Sequence, residues 1–203
     1  MLGEQEDVFF YLTVMNENYA QPAMPDGAQE GILRGMHVVA EAQDAQVQLM
    51  GSGTILREVL AGADLLREDW GVGADVWSVT SFTELRRDGM AAERHNRLHP
   101  TQAPRASYVE QQLGDRPGPV VAATDYLRAL PDSIRPWVRA PYTVLGTDGF
   151  GRSDYRKALR RFFEVDRHHV AVAALHALGR SEDAAAAIER YEIDPDAEAP
   201  WLT

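Results

Sequence analysis

From residue 29 onward the chain switches repeatedly between short apolar runs and longer stretches where apolar residues recur at helical spacing. Continuous runs bounded by turn residues read as buried strands, and a recurrence every three to four residues reads as a helix with one apolar face. These rules predict strands over 31–41, 47–51, 75–80, 119–124 and 142–146. They predict helices over 53–68, 82–97, 105–113, 153–163, 166–178 and 182–191. After Gly53, the residues Ile55, Leu56, Val59, Leu60, Ala63 and Leu66 form one stripe. Burying large aliphatic side chains contributes about 1.5–3 kcal/mol each before chain entropy is subtracted, which docks this helix on a sheet. Asp166 is placed to cap the helix that follows it, and Gly179 to end it. Trp77, Phe82, Phe162 and Phe163 are assigned to the core. Alternating strands and helices predict an α/β fold with a parallel or mostly parallel sheet between helical layers.

Residues 1–28 break this pattern. Val8 to Val14 is a continuous apolar run rich in aromatic and β-branched residues, as a strand would be. Pro22, Pro25 and Gly27 then interrupt regular structure and mark a linker. A lone strand has no partner for its backbone groups and cannot be a domain. The reading is therefore a strand plus linker over 1–28 and one domain over 29–203.

A chain of 203 residues with 45% hydrophobic content can build a substantial core. No run approaches the roughly eighteen apolar residues of a membrane span, and the N-terminus lacks a signal pattern. Without cysteine, disulfides, thiolate chemistry and zinc–thiolate sites are excluded. A net charge of −11 argues against a nucleic-acid surface. The one local basic cluster, Arg156 to Arg161, is assigned to the solvated side of a helix.

Candidate chemistry is sparse. Gly51-Ser-Gly53-Thr-Ile-Leu56 begins like a dinucleotide fingerprint, but Leu56 replaces the third glycine and no acidic residue ends a second strand at the right offset. A structural turn capped by Ser52 or Thr54 is the expected role. His95 and His99 share a helical face near Glu93, yet Pro100 ends that helix at once, so a helix C-terminus is expected there and not a metal site. His168 and His169 follow Asp166 in a first turn, where the helix dipole favours neutral, hydrogen-bonded imidazoles. The most particular segment is Gly146-Thr-Asp-Gly-Phe-Gly-Arg-Ser-Asp154, between a strand and a helix. Its glycines permit a sharp turn, and Ser153 or Asp154 can cap the helix. A strand-end loop in an α/β domain faces the crevice where neighbouring elements meet, so Asp148, Phe150, Arg152 and Asp154 are interface candidates.

That segment resembles one family, the homodimeric type of pyruvate dehydrogenase, in its C-terminal region. Asn16-Glu17-Asn18-Tyr19, Gln21 to Pro25, Val47 to Gly53, Ser78 to Leu85, Ala123 to Tyr126, Phe163 to Asp166 and Val172 to Leu175 match in the same order. The resemblance runs from about Asp7 to the C-terminus and implies a three-layer α/β/α fold like the C-terminal domain of transketolases, with a mostly parallel five-stranded sheet. It implies that residues 1–28 are the last strand of a middle domain plus a linker. It also implies an oxidoreductase that decarboxylates pyruvate on thiamine diphosphate and reductively acetylates the lipoyl group of a dihydrolipoyl acyltransferase core. The implied enzyme is a cytoplasmic homodimer whose thiamine diphosphate and magnesium are bound by domains absent from this chain. Thr147-Asp148-Gly149 echoes the start of a diphosphate–metal motif, but Asn16, Asn18 and Asn96 all precede it. No catalytic, cofactor or metal residue is therefore assigned, and the domain is expected to be inactive alone and to support the dimer. Alternatives are a stand-alone interaction module, the downstream half of a split enzyme, or a small nucleotide-binding protein.

Overall fold

A computed structural model describes residues 3–5, 7–9 and 18–202. The strand expected at Val8–Val14 falls largely outside the described residues. Among the described residues, regular structure begins with α1 (Gln29–Arg34) and β1 (Met36–Ala40), then β2 (Ala45–Ser52), α2 (Leu56–Trp70) and β3 (Gly73–Val79). It continues through α3 (Phe82–Leu98), α4 (Tyr108–Leu113), β4 (Val120–Ala123), α5 (Ala129–Asp132) and β5 (Tyr142–Leu145). Three helices close it: α6 (Arg156–Phe162), α7 (Arg167–Ala177) and α8 (Ser181–Arg190). Single 3₁₀ turns stand at Gly53–Ile55, Arg135–Trp137 and Pro200–Leu202.

The five strands run in the order β1-β3-β2-β4-β5, with only β1 antiparallel to its neighbour. Alternate strand residues feed two cores. Val47, Leu49, Val76 and Val121 pack under Ile55, Val59 and Leu66 of the α2 region and Val170, Ala174 and Leu175 of α7. Met50, Trp77, Val120 and Ala122 pack on the other face with Phe82 and Leu85 of α3, Val109 and Leu113 of α4, and Ile134. The three-layer α/β/α arrangement with a mostly parallel five-stranded sheet is thus the expected one.

Four local expectations are corrected. The strand predicted over 31–41 is a helical turn followed by a strand. Gly35, at φ 106°, ends α1 in the left-handed region, and a Cβ there would strike the Ser81 carbonyl. The helix predicted from residue 153 starts at Arg156, with Tyr155 in the cap position and no side-chain cap; Asp154 accepts instead from the Tyr155 amide at 2.7 Å. Neither Ser52 nor Thr54 caps the turn after β2. The Ser52 hydroxyl pairs with that of Thr124 at 2.7 Å, and Thr54 reaches Asp125. Phe162 lies half-buried beneath the Arg152 guanidinium, 4.3 Å from it, while Trp77 and Phe82 are core as expected.

Arg156 to Arg161 is not simply a solvated face. Arg160 donates to Glu58 of α2 at 3.0 Å, and Arg161 donates to the carbonyls of Tyr191 and Glu192 beyond α8. The basic residues staple α6 onto the helical layer. Asp166 caps α7 as expected, accepting from the amides of His168 and His169. Gly179, at φ 74°, follows its last turn.

Candidate functional site

The C-terminal ends of the parallel strands carry the loops with the most chemistry. The chain passes from β3 over β2 to β4, so the strand order reverses between β2 and β4. Crevices outside such a reversal are where α/β sheets bind ligands and partners. Here β2 and β4 are tied by the Ser52–Thr124 hydroxyl pair, and Thr124 also accepts from the Tyr126 amide at 3.2 Å. Thr147, after β5, donates its hydroxyl to the Asp125 carbonyl at 2.8 Å and its amide to the Tyr126 carbonyl at 2.9 Å. Three strand-end loops thus form one braced platform.

The 146–154 loop is built by this bracing. Asp148 accepts from the amide of Arg128 at 3.1 Å and from its Nε at 3.0 Å. The Arg128 guanidinium in turn lies 4.4 Å over the Trp201 ring. A Cβ at Gly146 would sit 2.8 Å from the Tyr126 carbonyl oxygen, so the close approach of the two loops requires glycine. Gly149 combines φ 105° with backbone contact to Pro200. Asp148 is therefore part of the domain's own wiring. Arg152 rests on Phe162, and Asp154 on the neighbouring amide.

Phe150 is different: its side chain is 84% exposed. Tyr126, Leu127, Trp201 and Leu202 on neighbouring loops are also exposed, so this edge of the sheet presents large apolar side chains to solvent.

The loop does not suit a metal–diphosphate group. The Asp148 Oδ2 accepts from the amide and the guanidinium Nε of Arg128, so a cationic side chain already stands against this carboxylate. Among the described residues, no group of three or more His, Asp or Glu side chains is placed to hold a metal ion. His95 and His99 stack with ring centres 4.4 Å apart, and His99 Nδ1 bonds the His95 carbonyl at 3.0 Å, which closes the helix end. His169 Nδ1 lies 2.7 Å from Asp166. Burial opposes ionisation of Asp166, but hydrogen bonds from the His169 ring and backbone outweigh it and hold the carboxyl down to about 2.

Sequence reasoning singled out Asp148 and Arg152 and missed Arg128, Asp125 and Trp201, which complete the platform. Their partners lie at distant sequence positions with no periodic signal. The exposed aromatic residues after Ala123 and near the C-terminus were the available hint.

Fold and loops define a class first: a mixed-sheet α/β domain with a braced strand-end platform, an apolar edge and no assembled metal centre among the described residues. The chain belongs to the Transketolase-like TK C-terminal domain family, whose model matches residues 35–166. It is 60% identical over 209 aligned positions to the Pyruvate dehydrogenase E1 component of Pseudomonas aeruginosa, covering 98% of the chain and 24% of the relative. It is 50% identical to the protein of that name from Escherichia coli K12, covering 100% of the chain and 24% of the relative. The chain thus spans about a quarter of the length of these relatives. Transketolase from Campylobacter jejuni shares the fold at TM-score 0.51 and 20% identity, over 77% of this chain and 20% of that one. Transketolase from Leishmania mexicana does so at TM-score 0.50 and 19% identity, over 74% of this chain and 19% of that one. The described residues include no helix long and apolar enough to cross a membrane.

Proposed function

We propose that this chain serves as the C-terminal domain of a pyruvate dehydrogenase E1 component, a cytoplasmic homodimeric oxidoreductase. The observation carrying this reading is 60% identity sustained over 98% of the chain to a relative of which it covers 24%. Thiamine diphosphate with magnesium, held by domains outside this chain, would supply the decarboxylation of pyruvate. A dihydrolipoyl acyltransferase core would receive the two-carbon unit on its lipoyl group. The domain's contribution is architectural. Phe150, Tyr126, Leu127 and Trp201 give the remaining domains an apolar face, while Asp148 and Arg128 hold that face rigid. Residues 1–28 would be the end of the preceding domain and its linker.

A chimera tests this. The chain replaces the corresponding segment of the Pseudomonas aeruginosa relative, and pyruvate-dependent turnover and dimer affinity are measured with and without Phe150→Asp. The expected results are an active chimera and at least about tenfold weaker dimerisation or turnover in the variant, since a carboxylate would be forced into a desolvated apolar contact. Because Phe150 is 84% exposed, the chain itself should keep its melting temperature. An inactive chimera, or a variant that keeps both dimer affinity and turnover, rejects the assignment.

A further inference from the structure

Helix α3 divides into two faces. Its inner side is set by Phe82, Leu85, Gly89 and Ala92, which are buried. At about 100° per residue, Arg86, Arg87, Met90, Arg94, Arg97 and Leu98 fall within about 120° of arc on the opposite side. All six are exposed, Met90 at 47% and Leu98 at 53%. The arc from Arg86 to Arg97 is about 16 Å long at the helical rise of about 1.5 Å per residue.

The carboxylates of α3 leave most of these cations uncompensated. Glu84 pairs with Arg87 at 2.5 Å and neutralises it. Asp88 lies off the arc, where it accepts from the Tyr108 amide at 2.6 Å and stands 3.8 Å from both Arg34 and Arg105. Glu93 borders the arc, at helical spacing from Arg86 and Arg97. Among the described residues, the side chains of Arg86, Arg94, Arg97 and Glu93 make no ion pair or hydrogen bond. Three guanidinium groups therefore stand against one carboxylate, and the face stays positive in a chain whose total is −11. The helix dipole accounts for a cation in the last turn, such as Arg97, but not for Arg86 in the second.

We propose that the outer face of α3 docks an acidic peptide segment of a partner protein. Carboxylates of the partner pair with Arg86, Arg94 and Arg97, and an apolar side chain among them sits over Met90, which lies between Arg86 and Arg94. Guanidinium forks suit bidentate bonds to carboxylates, and charge complementarity selects the partner. Met90 and Leu98 add the apolar contact that exposed ion pairs lack. The arc carries no aromatic side chain on which a base could stack, and two apolar residues are too few to seat a helix in a bilayer surface. This face is separate from Phe150 and the strand-end loops, and it does not depend on the enzyme assignment above.

The test titrates the 203-residue chain with a peptide of Glu-Glu-Leu repeats long enough to span the arc, and with its Gln-Gln-Leu counterpart. Binding is read by amide chemical shifts and calorimetry. The expected result is saturable one-to-one binding of the acidic peptide with Kd below about 1 mM at low salt, and shifts centred on Arg86, Met90, Arg94 and Arg97. The neutral peptide should bind at least about tenfold more weakly, and about 0.5 M salt should remove most of that difference. Arg94→Glu should weaken the acidic peptide at least about tenfold. Arg67→Glu on α2 changes the net charge equally and should change binding less than about twofold. Absence of saturable binding by the acidic peptide overturns the proposal. So does equal weakening by the two charge reversals, or tighter binding of a thymidine oligonucleotide or of phosphatidylserine vesicles to the same arc. If Arg94→Glu proves unstable, the wild-type shift map and the ranking of the two peptides decide alone.

Discussion

Glu58 is the residue whose replacement best tests how the helical layer is held. It sits on α2 at 6% exposure, an uncommon burial for a glutamate. Its carboxylate accepts from Arg160 of α6 at 3.0 Å and from the Arg167 Nε of α7 at 2.9 Å, and it also takes the Arg167 amide at 3.2 Å. One side chain thus joins three helices. Burial opposes its ionisation, and the bonds and charges of Arg167 and Arg160 outweigh that, holding its pKa below the ordinary glutamate range. Removing one member of a buried ionic cluster leaves its partners uncompensated and costs about 3–5 kcal/mol. Arg167 is 45% exposed and can turn to water, so the loss for Glu58→Ala is set lower, at about 2–4 kcal/mol. In a domain of this size each kcal/mol moves the melting temperature about 2–4 °C, giving a fall of roughly 4–16 °C.

Urea unfolding of wild type, Glu58→Ala and Glu58→Gln at neutral pH measures it. The expected order is Ala lowest and Gln between, because the amide keeps an acceptor and loses the charge. A carboxyl whose folded pKa is depressed stabilises the fold above its unfolded value and loses that contribution as pH falls through the folded value. The gap between wild type and Glu58→Gln should therefore narrow on acidification below the ordinary glutamate range. If Glu58→Ala unfolds within about 0.5 kcal/mol of wild type, the cluster carries no net stability and the helices are held by apolar packing alone.

Asp166→Ala should cost about 1–2 kcal/mol at neutral pH, read by urea unfolding, because it removes the α7 cap. Asp166 is held to about 2 against an ordinary 3.8, so its contribution should be complete above about pH 4 and fade toward pH 2, a slope the variant should lack. Gly89→Ala would push a methyl group into the buried Trp137 ring; overpacking of about 1–3 kcal/mol should exceed the helix-propensity gain of about 0.5–1 kcal/mol. Trp137→Leu in the same chain should recover part of that loss, and additive costs would show that the two do not meet. Deleting residues 1–24 should leave one cooperative unfolding transition, since the regular structure among the described residues starts at Gln29; loss of cooperativity would place those residues in the core.

Strand and helix order was legible because the parallel strands are buried on both faces and read as short apolar runs, as Val120 to Ala123 does. The error at 31–41 has a local cause. Ile32 and Leu33 sit close to Val38 and Val39, and the apolar tally merged them across Gly35. Glu30 in the first turn, Arg34 in the last and glycine after it were the helix signals to heed. The basic cluster was misread for a different reason. Glu58, the partner of Arg160, lies 102 residues away, and no window of sequence reports such a pairing. The same holds for Asp148 with Arg128: residue types at one position suggest a bond, and only the fold says to whom.

That distinction changes what the glycine-rich loop means. Its string is specific enough to carry a family resemblance, and specificity of sequence invites a reading as a site. Most of its members instead answer to their own domain. Gly146 is required by the Tyr126 carbonyl, Gly149 by its positive φ and Pro200, and Asp148 by Arg128. Each would be retained by selection for folding even in a chain that bound nothing. Phe150 is the exception. An 84% exposed phenylalanine on a braced loop packs little against its own domain, which suits the partner surface proposed for it. The loop is best understood as a rigid mount of six or so constrained positions whose product is one outward aromatic side chain. Substitutions in the mount and at its tip should therefore separate cleanly: Gly149→Ala should lower the stability of the chain, and Phe150→Asp only its assembly.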